Sequence, residues 1–82
     1  MREPYIGEVL VMEGAYFNGH SDQPAIVTQV WSRIGLSFGE AWCVNVCVLP
    51  DGAQPYHATS MYLMADPRTA AEAGHSLFLR RP

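Results

Sequence analysis

Between Trp42 and Val48 every second residue is apolar: Trp42, Val44, Val46 and Val48 alternate with Cys43, Asn45 and Cys47. A period of two belongs to a β-strand, whose side chains point to opposite faces in turn. Pro50-Asp51-Gly52-Ala53 follows at once, with proline and glycine where a tight β-turn takes them. A strand that runs straight into a reversing turn is committed to antiparallel pairing. The remaining segments read most simply as its partners.

Before it, Glu8-Val9-Leu10-Val11-Met12-Glu13 is a short apolar run bounded by acids and predicts a first strand. Gly14 to Gln23, with two glycines and several small polar residues, predicts a loop long enough to serve as a binding loop. Pro24 to Trp31 predicts a second strand, with proline at its first position, where no ladder donor is lost. On that strand Ile26, Thr28 and Val30 share one face, and Ala25, Val27, Gln29 and Trp31 the other. Ser32 to Glu40, with Gly35 and Gly39, predicts a turn-rich connection.

After the turn, Gln54 to Leu63 predicts a fourth strand that starts late or lies at an edge because of Pro55. Asp66 as N-cap, Pro67 at the first helical position and Gly74 at the exit predict one short helix near residues 67–73. His75 to Arg81 alternates again and predicts a last strand. The fold expected is mainly β: a single domain over residues 1–82, a small SH3-like antiparallel barrel of about five short strands with that one helix. A four-stranded sheet packed against the helix is the alternative.

At 82 residues the chain belongs to the sizes in which a fold hides only about 60–65% of its unfolded surface. Hydrophobic residues are 49% and charged residues 16%, which is more apolar surface than one thin core absorbs and points to a homo-oligomer. There is no lysine, and five arginines face eight acids for a net charge of −3. No basic stripe exists to follow a phosphate backbone, so general nucleic-acid binding is not expected. The first residues carry no apolar signal region and no run is long enough to span a membrane, so a cytoplasmic, membrane-free protein is expected.

Cys43 and Cys47 on one strand lie about 13 Å apart, whereas a disulfide needs Cα atoms within about 7 Å. Free thiols fit a reducing compartment. The same separation keeps the two sulfurs from sharing one tetrahedral zinc ion with His20, His57 or His75. A nucleophilic cysteine activated by His57 across the hairpin is conceivable, but no motif for it is present. The acids, Glu8 and Glu13 among them, fall at strand ends, turns and caps, where carboxylates are ordinarily solvated. No phosphate-cradling glycine loop is present, and no catalytic residue, metal or cofactor is assigned.

The candidate ligand-binding residues are Arg33, Asn45, Tyr56, His57, Thr59 and Ser60. An aromatic ring, an imidazole, hydroxyls and a guanidinium together suit a small polar ligand with a stackable ring and a phosphate. The structural alternative is that these are ordinary strand and turn residues. Trp31 and Trp42 are expected in the core or at an interface.

Gln23-Pro24-Ala25-Ile26-Val27-Thr28-Gln29-Val30-Trp31, then Val44-Asn45-Val46-Cys47-Val48-Leu49-Pro50-Asp51-Gly52, then Pro55-Tyr56-His57-Ala58-Thr59-Ser60, resembles small proteins encoded by tailed phages and prophages. Those proteins often end in a tryptophan-rich strand, where this chain has Leu77-Phe78-Leu79-Arg80-Arg81-Pro82. The resemblance implies a non-enzymatic accessory protein in the cytoplasm of a bacterial host. Counter-defence is its expected role, by binding a host immune protein or sequestering a nucleotide-type signal. A structural or assembly module of the phage particle is the alternative it leaves open.

Overall fold

The computed structural model describes residues 1–13, 22–37, 39–65 and 78–82. Its strands are β1 (Val9–Glu13), β2 (Gln23–Leu36), β3 (Gly39–Val48), β4 (Tyr56–Met64) and β5 (Phe78–Arg80). They form a closed barrel in the order β1-β2-β3-β4-β5, in agreement with a small SH3-like barrel. Neighbours pair antiparallel except at the closure, where β4 meets β5 in parallel through Leu63 opposite Leu79. The expected helix at 67–73 and most of the expected loop, residues 14–21, lie outside the described residues.

β3 is the staff of the barrel, as its alternation implies. Val44, Val46 and Val48 are fully buried, and Trp42 packs against the same core. They meet Leu10 and Met12 of β1, Ala25 and Val27 of β2, Leu63 of β4 and Leu79 of β5. Hiding one such side chain is worth about 1.5–3 kcal/mol, so these residues supply most of the driving force for closure. Pro55 does delay β4, which begins at Tyr56. Gly52 takes φ +73 in the turn, a left-handed conformation that glycine adopts without strain.

The stretch Ser32–Glu40 departs from the expected connection. β2 continues to Leu36, and β3 starts at Gly39, with Ile34 opposite Ala41, Gly35 opposite Glu40 and Leu36 opposite Gly39. The glycines that read as breakers are ladder positions here. Gly39 sits at φ +134, where an L side chain is strained, so it opens β3 next to the turn at Ser37.

The face assignment of β2 also changes along its length. Ala25 and Val27 are buried, but Gln29 and Trp31 are exposed while Val30 packs on the core. Register shifts between Val27 and Gln29 and between Val30 and Ser32 are the cause. Each β-bulge inserts one residue and swaps inward for outward, which a strict period of two cannot anticipate.

A second cluster absorbs part of the apolar surplus. Ala41, Met64 and Phe78 are buried together, with Ile34, Leu36 and Tyr62 against them. By strand alternation they lie on the opposite side of the sheet from Leu63 and Leu79. Apolar side chains thus cover both faces where β2, β3, β4 and β5 come together.

The N-terminal residues are tied in by an ion-pair cluster. Glu8 is 5% exposed, contrary to the expectation of a solvated acid. Its carboxylate accepts hydrogen bonds from Arg81 Nε at 2.8 Å and from Arg2 Nη2 at 3.0 Å. Arg81 Nη2 also donates to the Arg2 carbonyl at 2.8 Å. The Arg81 guanidinium holds the Glu8 carboxyl below its ordinary value, with Arg2 and the Tyr5 amide adding to the effect and burial opposing it. Glu13, half-buried, pairs with Arg80. The acids at both ends of β1 are therefore partners of β5 and the residue after it, not solvated caps.

Candidate functional site

Asn45 is the centre of the polar cluster on the outer face of the barrel. Between the pairs Val44–Met61 and Val46–Ala58, Thr59 and Ser60 oppose the single residue Asn45. The extra residue lets Ser60 adopt φ +54, and its backbone N–H donates to Asn45 Oδ1 at 2.9 Å. Trp31 reaches the same oxygen from the other side, its Nε1–H donating at 2.9 Å. One side-chain oxygen thus links the irregularities of β2 and β4 across β3. The amide oxygen has two lone pairs, and both are used.

Of the two places expected for Trp31, core or interface, the core is not the one it takes: 58% of it is exposed. Its ring is held by a hydrogen bond instead of by packing. An indole fixed at the surface offers a broad apolar face with little rotational entropy left to lose, which is what binding sites draw from tryptophan.

The other sequence candidates divide around this centre. Thr59 is exposed beside Ser60. His57 is exposed and lies opposite Cys47, two positions along β3 from Asn45 and on the same face. Tyr56 turns the other way and packs against the main core. Arg33 is exposed but pairs with Trp42, which places it on the opposite face of the hairpin from Asn45. Asn45, Ser60, Thr59 and His57 therefore share a surface, and Tyr56 and Arg33 do not join it.

The cysteines are free and half-buried, each on the outer face of β3. Cys47 is the cross-strand neighbour of His57, as the hairpin implied, but no hydrogen bond joins the thiol to the imidazole. Among the described residues no group of three His, Cys, Asp or Glu side chains converges to hold a metal ion. Nor does any helix among them have the length and apolarity to cross a membrane.

Sequence reasoning missed Trp31 as a member of the site, because the register shift between Val27 and Gln29 exchanges inward for outward positions before it. It also missed the cluster of Glu8, Arg2 and Arg81, whose members are 73 positions apart at the extremes of the pairing Glu8–Arg81. Comparison with protein-family models, with curated proteins and with solved structures finds no match to this chain.

Proposed function

We propose that this is a non-enzymatic, phage-encoded accessory protein that counters a bacterial defence by binding a host immune protein. The working surface is the outer face at Trp31, Asn45, Thr59, Ser60 and His57. The observation that carries this reading is an exposed tryptophan locked by a hydrogen bond at a doubly bulged part of the sheet. Tryptophan dominates the energetic centres of protein interfaces, and a ring already fixed loses less entropy on docking. The phage origin and the counter-defence role rest on the sequence resemblance.

Association into a homo-oligomer in the host cytoplasm is part of the proposal. Val9, 53% exposed, pairs with Ile26, which pairs with Cys47, so an uncharged row runs across β1, β2 and β3 on the outer face. Such a row is suited to a second copy.

The experiment is to express the protein in bacterial hosts that each carry one defence system and measure phage plating. Restored plating in a defended host is the expected result. Plating unchanged across every defended host, together with recovery of the protein from purified virions, replaces the proposal with a particle or assembly module. A heat-release assay on a panel of cyclic nucleotides and ADP-ribose derivatives separates the mode of action. Loss of free messenger that heating restores, together with plating rescue that Trp31→Ala leaves intact, would mean sequestration of the signal and not docking on the immune protein.

A further inference from the structure

We infer that a second site, distinct from the Trp31 face, takes a phosphate-bearing small molecule with an apolar body, of the nucleoside phosphate kind. Arg2, Arg80 and Arg81 line one cleft of about 380 Å³ together with Met1, Met64, Ala65 and Pro82. The chain has only five arginines and no lysine, so three of its five fixed positive charges meet here although its net charge is −3. Among the described residues that line it there is no acidic side chain. The volume falls in the range of small-molecule sites, about 300–1,000 Å³.

The guanidiniums are held from behind and present unused donors. Glu8 engages Nε and Nη2 of Arg81 and Nη2 of Arg2, and Arg81 Nη2 is further bound to the Arg2 carbonyl. Arg80 is fixed by Glu13, by Asp22, 3.7 Å from its Nη2, and by the Arg81 carbonyl, which its Nη1 reaches at 3.2 Å. Each arginine carries five N–H donors, and Nη1 of Arg2 and Nη1 of Arg81 meet no acceptor among the described residues. Arginine donors fixed in position match phosphate oxygens in pairs, and the fixing lowers the entropy lost when an anion binds.

The rest of the lining sets the class of ligand. Met1, Met64, Ala65 and Pro82 give the cleft an apolar wall facing the cationic one. Thioethers adapt to and favour aromatic rings, so a base can lie on the methionines while its phosphate meets the arginines. A bare inorganic anion would leave that wall uncovered. Glu8, Glu13 and Asp22 pair with the three arginines and balance their charge one for one, and this limits affinity to what preorganised hydrogen bonds and apolar contact supply.

The test is a titration of the full chain followed by amide NMR shifts, with inorganic pyrophosphate, ADP and adenosine as the three probes. The expected result is saturable shifts at Arg2, Ala65 and Arg81 with pyrophosphate, tighter binding with ADP, and none with adenosine. Arg2→Gln keeps the Glu8–Arg81 bond and is expected to weaken ADP binding about tenfold, the worth of one charge-assisted contact. Ala65 is exposed, and Ala65→Glu places a carboxylate in the cleft without disturbing the core and is expected to abolish binding. Arg33→Gln removes the same charge on another face and is expected to leave it unchanged. Absence of saturable shifts in millimolar pyrophosphate and ADP overturns the site. Equal loss in Arg2→Gln and Arg33→Gln overturns it as well, by reducing it to a general charge effect. ADP binding no tighter than pyrophosphate overturns the role of the apolar wall. None of these outcomes depends on Trp31, so the docking proposal and this one fail separately.

Discussion

Replacing Glu8 with glutamine tests whether the ion-pair cluster holds the N-terminus onto the barrel. The substitution keeps the shape but removes the charge that Arg81 and Arg2 approach to 2.8 Å and 3.0 Å. Breaking a fully buried pair costs about 3–5 kcal/mol, because the remaining charge is left without a partner. Here the Glu8 side chain is 6% exposed but those of Arg81 and Arg2 are 23% and 61% exposed, so water takes over part of the lost interaction. The expected loss at neutral pH is therefore about 2 kcal/mol. For a domain of this size that lowers the melting temperature by about 8–16 °C.

The pH dependence gives an independent reading of the same interaction. The Glu8 carboxyl is held below its ordinary value of 4.5 in the fold, so the folded state releases its proton more readily than the unfolded chain. Its stabilisation is complete above pH 4.5 and is lost as pH falls through the lowered folded value. The gap between the wild-type and Glu8→Gln melting temperatures, measured by circular dichroism, is expected to be constant at neutral pH and to close in acid. Melting curves that coincide at neutral pH, or a gap that persists unchanged in acid, would refute the reasoning.

Further expected outcomes concern the core, the hairpin and the outer face. Leu79→Ala removes a fully buried side chain that touches the closure of the barrel and is expected to cost about 2–5 kcal/mol in urea unfolding, whereas Val9→Ala, half-exposed, costs under about 0.5 kcal/mol. Gly39→Ala meets only ordinary contact at Met64 Cε, 4.0 Å away, so the expected loss of about 1–3 kcal/mol comes from the backbone at φ +134 alone. Asn45→Ala removes both hydrogen bonds at the bulges and is expected to raise collisional quenching of Trp31 fluorescence while the melting temperature falls by no more than a few degrees.

The strands that could be recognised in the sequence are those with an unbroken pattern. β3 from Trp42 to Val48, the turn at Gly52 and the late start of β4 after Pro55 follow from alternation and from the chemistry of proline and glycine. The hairpin through Ser37 was hidden because Gly35 and Gly39 carry no side chain to mark a face, although Ile34 and Leu36 do alternate. Tertiary pairing there overrides the local preference of glycine.

The site was legible in part for the same reason. Asn45 and Thr59 are neighbours because β3 and β4 form a hairpin, and a hairpin register extrapolates from its turn; the bulge there adds Ser60 beside them. Bulges break that extrapolation: they turned Trp31 outward and left Arg33 on the other face. The Glu8–Arg81 bond joins the two extremes of the chain, and no local signal announces a contact across 73 residues.

The measurement that bears most directly on the proposed function is phage plating on a defended host expressing Trp31→Ala in place of the wild-type protein. Trp31 is exposed and its removal leaves both apolar clusters intact, so the melting temperature is expected to change little. The account predicts that plating rescue is lost while the variant remains folded and equally abundant. Full rescue by a folded, equally abundant Trp31→Ala protein would contradict it.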